Sequence, residues 1–200
     1  AGCVTEKQHI YLTGDPLVDG PNAIANGPAR DKVLWQYRMS AADMRKARFG
    51  EAKQNLDAAL ARLAGIFGPD KNSKRARGLF REESKKTFLG EPYERSMAYY
   101  YRGILYWMDG ELDNARACFR SAQYEDSDTE DKQYAGDYVL FDYLDGLAST
   151  KLGSDGSDAL KRAQKNFKFG SLPPYDREAN VLFFLEMGRG PTKYAGGEYH

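Results

Sequence analysis

The sequence predicts an all-α protein: about three antiparallel helix hairpins stacked side by side, with an extended leader before them and a short β-strand behind. Three observations predict it. Apolar residues recur every three to four positions through most of residues 31–170. Glycine, often beside aspartate or proline, breaks that rhythm with gaps just long enough for a turn. Small residues fall where paired helices would have to cross. The composition agrees, since 42% hydrophobic and 29% charged residues among 200 are the proportions of a globular chain.

The leader covers residues 1–30. Ala1-Gly2-Cys3 has the form of a bacterial lipobox remnant, in which a pair of small residues precedes a cysteine that receives lipid, and the polar run Val4 to Gln8 comes next as a tether. Gly14, Pro16, Gly20, Pro21, Gly27 and Pro28 are punctuation too dense for a helix, so the segment reads as extended.

The helical body covers residues 31–170. A first helix starts at Asp31 or Lys32 and carries Val33, Leu34, Tyr37, Ala41 and Met44. After Phe49-Gly50 a second runs from Ala52 through Leu56, Ala59, Leu60 and Leu63 to Phe67, where Gly68-Pro69 stops it. Residues 70–90 form a basic connector, Lys71 to Lys86, with a short helix around Leu79 to Phe88. Pro92 sits where helix-initiating prolines belong, and an aromatic helix runs from about Tyr93 to Met108. Asp109-Gly110 turns the chain into a partner helix from Glu111 to Tyr124. The third hairpin pairs Tyr134–Leu152 with Asp158–Phe169 across a Gly153-Ser154-Asp155-Gly156-Ser157 turn. Residues 171–200 are a Pro/Gly-rich segment. Pro173-Pro174 ends the helices, and Val181 to Met187 reads as one strand, the start of a further region.

The central hairpin carries the most specific pattern. Gly103 on its first helix and Ala115 on its second are small enough for close approach. Tyr106, Phe119 and Ala122 stand at the spacings that fill the gap to the next hairpin. Five matches in order, split by a turn, resemble the tetratricopeptide repeat (TPR). The third hairpin aligns Gly146 and Ala159 with Gly103 and Ala115 if one extra turn residue is allowed, and the first has Ser40 in place of the glycine. Both are degenerate repeats. The run Gly90-Glu91-Pro92-Tyr93-Glu94-Arg95 with Tyr99-Tyr100-Tyr101 and Gly103, and the later Gly188-Arg189-Gly190-Pro191-Thr192-Lys193, are similar to an uncharacterised group of bacterial TPR lipoproteins. That resemblance covers most of residues 33–193. It implies a lipid anchor on Cys3, TPR helices and a β-containing region further on, in the cell envelope, and it implies no reaction. Val4 after Cys3 is similar to lipoproteins sorted to the outer membrane.

Several chemistries lack material. The only histidines, His9 and His200, stand near opposite ends of the chain, and no phosphate loop, CxxC or HExxH occurs. Neither cofactor nor metal is expected, and the protein is expected not to be an enzyme. Asp126, Asp128, Glu130 and Asp131 alternate like the start of a calcium loop but lack its central glycine and closing glutamate, which favours a solvated loop. Asp155 and Asp158 suit a turn and a helix cap. With 29 basic and 29 acidic residues the chain is formally neutral and has no global field for nucleic acid. Cys118, on an apolar helix face, suits a buried free thiol. No stretch of about 18 apolar residues occurs.

The aromatic helix is the candidate site. In a TPR hairpin the first helix lines a concave groove. With Gly103 as the crossing residue, Met97, Tyr100, Ile104 and Trp107 fall on or near that face, and Leu140, Tyr143 and Leu147 are their counterparts on the third hairpin. Tyrosine and tryptophan combine large apolar area with a polar tip, as interface anchors do. The same residues could instead pack against the leader or a neighbouring helix. The expected function is a lipid-anchored scaffold binding a protein or peptide in the bacterial envelope. The alternative is a structural subunit that self-associates through stacked repeats and strand addition.

Overall fold

Turn and cap chemistry sets where each helix begins. A computed structural model describes residues 12–67, 87–128 and 136–188. They hold seven α-helices: α1 Pro16–Asn26, α2 Lys32–Arg45, α3 Phe49–Phe67, α4 Pro92–Met108, α5 Leu112–Ser127, α6 Val139–Lys151 and α7 Ser157–Asn166. A single 3-10 turn, Ala29–Asp31, leads into α2. The fold is all-α. Glu91 and Glu94 form a capping box at the start of α4, with Pro92 in its first turn. Gly110 and Gly153 adopt φ of +80° and +82° just after α4 and α6, the left-handed conformation that ends a helix without a Cβ clash. Asp155 shapes the turn before α7 by accepting the Ser157 amide at 2.9 Å.

Each helix packs on the next in sequence, and polar cross-links give the direction. Arg95, early in α4, reaches Glu125, late in α5. Lys53, early in α3, meets Asp109 after α4. Asp126, late in α5, accepts the backbone N–H of Tyr138 before α6. These neighbours are antiparallel. The seam among α5, α6 and α7 is polar at one point: Asp145, 2% exposed, takes Arg116 Nε and Arg120 Nε at 3.0 Å each and Arg162 Nη2 at 3.1 Å. Burying a carboxylate is costly without such partners.

At the α4–α5 crossing a Cβ on Gly103 would stand 2.6 Å from the Phe119 ring. Phe119, Ala115 and Ala122 are fully buried and join Tyr100, Ile104, Phe141, Leu144 and Leu147 in one core cluster. Leu56, Ala98 and Leu105 centre a second cluster toward the first hairpin. Cys118 is free and half-buried, and burial pushes its thiol up to about 11.

One expectation needs correction. The leader is not wholly extended, because residues 16–26 form α1, which packs on α2. Asp15 caps it by accepting the Leu17 amide at 2.9 Å, and Pro16 occupies the first turn. Pro21 removes one helical hydrogen bond, but α1 is held from outside itself. Asp19 accepts the Thr13 amide and hydroxyl and the Gly14 amide, bonds that hold its carboxyl below the usual range. Gly20 serves packing, since a Cβ there would meet Met39 Sδ at 2.4 Å. At the other end, Val181 to Met187 forms no strand ladder among the described residues. Cys3, His9, most of the basic connector, Glu130, Asp131 and the chain after Gly188 lie outside the described residues.

Candidate peptide-binding groove

Three helices, α2, α4 and α6, are the first members of the three hairpins, and they border one cavity of about 1,070 Å³. Tyr37, Ala41 and Met44 contribute from α2, and Met97, Tyr100 and Tyr101 from α4. Leu140 and Phe141 contribute from α6, and Leu185 to Gly188 close one side. The chain's own C-terminal segment therefore runs over this face. Leu172 donates its amide to Gln164 Oε1 at 2.8 Å as the segment leaves α7. The Tyr143 hydroxyl donates to the Pro173 carbonyl at 3.2 Å, and its ring lies 5.1 Å from that of Tyr175. Tyr175 sits over Gly146, where a Cβ would stand 2.0 Å from its hydroxyl oxygen. Lys151 Nζ donates to the carbonyls of Arg177 and Ala179. Further along, Phe184 reaches Tyr100.

The seven groove residues separate into three groups. Met97, Tyr100 and Leu140 line the cavity. Tyr143 lies against the C-terminal segment. Ile104, Leu147 and Trp107 belong to the core cluster, with Trp107 6.2 Å from the Phe119 ring. Tyr100 does both, lining the cavity while only 4% exposed. The α2 wall is not among the residues expected from sequence. Its signal is present, since Tyr37, Ala41 and Met44 repeat the three-and-four spacing of Met97, Tyr100 and Ile104. The same spacing is also plain helical rhythm, and nothing local tells a groove wall from a core face.

The electrostatics are those of a tyrosine-rich apolar surface. Burial raises the pKa of Tyr37, Tyr100, Tyr101 and Tyr175 well above the ordinary phenol value, so all four are neutral hydrogen-bonding groups at neutral pH. Nearby Glu186 adds to the rise at Tyr101. The Tyr37 and Tyr175 hydroxyl oxygens are buried without a hydrogen-bond partner. Among the described residues no three His, Cys, Asp or Glu side chains are grouped to hold a metal ion, and no helix is long and apolar enough to cross a membrane. Compared with protein-family models, curated proteins and solved structures, the chain matches none.

Proposed function

We propose that this protein is a TPR-like, non-catalytic scaffold that binds an extended segment of another polypeptide along the face formed by α2, α4 and α6. One observation carries the reading: one cavity spans the first helices of all three hairpins and is bordered by a non-helical piece of polypeptide, the chain's own residues 185–188. A surface bordered by one non-helical segment offers the features another would use, tyrosine rings with polar tips and an apolar floor. A lipid on Cys3 tethering the scaffold to a bacterial envelope belongs to the same proposal and rests on the Ala1-Gly2-Cys3 motif. Radiolabelled fatty acid incorporated into the chain and lost on Cys3→Ser would support the tether.

The groove is tested by photo-crosslinking in cells. A photoreactive residue at Met44 or Met97 is expected to trap a discrete polypeptide, while the same residue at exposed Lys165 on α7 traps none. Equal yields from all three positions, or none from 44 and 97, would reject the groove.

A second reading, self-assembly, is favoured by a different observation. Val181, Phe183, Leu185 and Met187 are all more than 60% exposed, a run of apolar side chains that a second copy of the chain could cover. Size measured over a wide concentration range separates the readings; a strictly monomeric chain removes this one.

A further inference from the structure

The cavity bordered by α2, α4 and α6 is lopsided in charge as well as rich in rings. Five tyrosines line it, Tyr37, Tyr93, Tyr100, Tyr101 and Tyr138, and among the described residues no lysine does. Three carboxylates, Glu94, Asp126 and Glu186, are set against one guanidinium, Arg45. Glu94 stands in the first turn of α4, and Asp126 lies beside Tyr138, just before α6. Arg45 is the last residue of α2. Tyr37, about two turns earlier in that helix, is already level with the start of α4, where a Cβ on Gly90 would stand 3.1 Å from its ring. Arg45 therefore lies toward the other end of the cavity from Glu94 and Asp126.

Of the three carboxylates, Asp126 is the half-buried one that lacks a counterion. Glu94 is engaged in the capping box, where it accepts the Glu91 amide at 2.7 Å. Glu186 is exposed to water. Glu125 and Asp128, close to Asp126 in sequence, both pair with Arg95. Asp126 itself accepts the Tyr138 amide through Oδ2 at 3.1 Å and has no ion pair among the described residues. Burial raises its carboxyl above the ordinary value, and nearby Asp137 and Asp142 add to the rise. A cation there would relieve that charge, and phenol rings attract cations to their faces. Lysine and arginine also carry apolar stems, which suit the walls made by Met97 and Leu140. We propose that the segment bound in the groove is basic, and that one of its lysine or arginine side chains passes the tyrosine rings to pair with Asp126. This rests on the groove reading above and gives it a partner chemistry.

The test uses the full chain and two fluorescent peptides, a repeated Gly-Ala-Lys and the same peptide with every lysine acetylated. Wild type is expected to bind the lysine peptide about tenfold more tightly than the acetylated one, the usual worth of a hydrogen bond to a charged group. Asp126→Asn keeps an oxygen to accept the Tyr138 amide but removes the charge, and it is expected to erase that preference with helical signal unchanged. Asp158→Asn, on the exposed surface of α7, is expected to keep it. The polypeptide segment trapped in cells from Met97 is expected to carry lysine or arginine. Equal affinity of the two peptides for wild type, binding of neither, an unchanged preference in a folded Asp126→Asn chain, or a trapped segment that is acidic or uncharged would overturn the proposal. The wild-type comparison and the trapped segment decide the matter even where Asp126→Asn fails to fold. Any overturning result with crosslinks from Met44 and Met97 intact sinks the basic partner and leaves the groove standing. Lost crosslinks with the peptide results as expected would do the reverse.

Discussion

Gly103 on α4 and Gly146 on α6 each make room for an aromatic ring, yet the rings come from different places. Phe119 arrives from the next helix of the same hairpin and is fully buried. Tyr175 arrives from beyond α7, remains half-exposed and brings a hydroxyl oxygen with no hydrogen-bond partner. The difference traces to one position. Aligning Gly146 and Ala159 with Gly103 and Ala115 puts Ala163 where the central hairpin has Phe119. Ala163 is fully buried but too small to cover the glycine, so the C-terminal segment does so. A glycine of this kind signals that an aromatic ring will come close, and it does not say from where. The local solution ties two helices together; the distant one ties down a strap.

Removing the rings should give the largest contrast. Phe119→Ala is expected to destabilise the helical body by about 3–5 kcal/mol, the usual range for a fully buried aromatic. Tyr175→Ala should cost about half that or less, because the ring is already partly in water. Urea unfolding monitored by helical signal measures both, and equal losses would abolish the distinction. Filling the glycines comes next. Alanine in a helix gains about 1 kcal/mol over glycine, while overpacking costs about 1–3 kcal/mol. At Gly103 the new Cβ meets a ring locked in the core, so a net loss is expected. At Gly146 it meets Tyr175, which can swing away. Gly146→Ala should therefore leave the midpoint nearly unchanged while hydrogen exchange rises across residues 172–188. A large drop in midpoint there would mean the strap is part of the core.

The same contrast explains what the sequence disclosed. The central hairpin is legible because its determinants are local: Gly103, Ala115, Phe119 and Ala122 are all buried where the spacing puts them, and α4 starts within a residue of the expected place. α1 is illegible because Pro16, Gly20 and Pro21 read as breakers. In the fold Pro16 opens the helix, and Gly20 accommodates Met39 from α2, a contact no local window contains. Val181 to Met187 has the composition of a strand, but a strand needs a partner, and the surface beneath it is made of helix side chains. Period alone picks out apolar faces on α4 and α6, but it does not separate Met97, Tyr100 and Leu140 on the cavity from Ile104, Leu147 and Trp107 in the core. The Asp145 cluster, assembled from α5, α6 and α7, is not legible.

Alkaline pH should loosen the strap, an effect smaller than those of the substitutions. Burial raises Tyr100, Tyr101 and Tyr175 above the ordinary value of about 10. A phenol whose folded pKa is raised contributes its full share of stability below the unfolded value and loses it as pH climbs above about 10. Tyr175 lies in the strap itself, and Tyr100 meets it through Phe184, so ionising these phenols acts on the strap as well as on the body. Protease sensitivity between residues 176 and 188 is expected to rise above about pH 10 before helical signal falls. Simultaneous change would show that strap and body open together.

The smallest effect tests the last link. Lys151 donates to the carbonyls of Arg177 and Ala179 from a largely solvated position. Exposed polar contacts of this kind contribute about 0–1 kcal/mol, too little to move the unfolding midpoint visibly. Lys151→Met keeps the aliphatic stem and deletes the ammonium. It should therefore leave the midpoint alone and raise hydrogen exchange only at residues 177–188. If exchange there does not change, the Tyr175 ring over Gly146 is by itself the anchor. The strap would then pivot at Tyr175 rather than at Ala179.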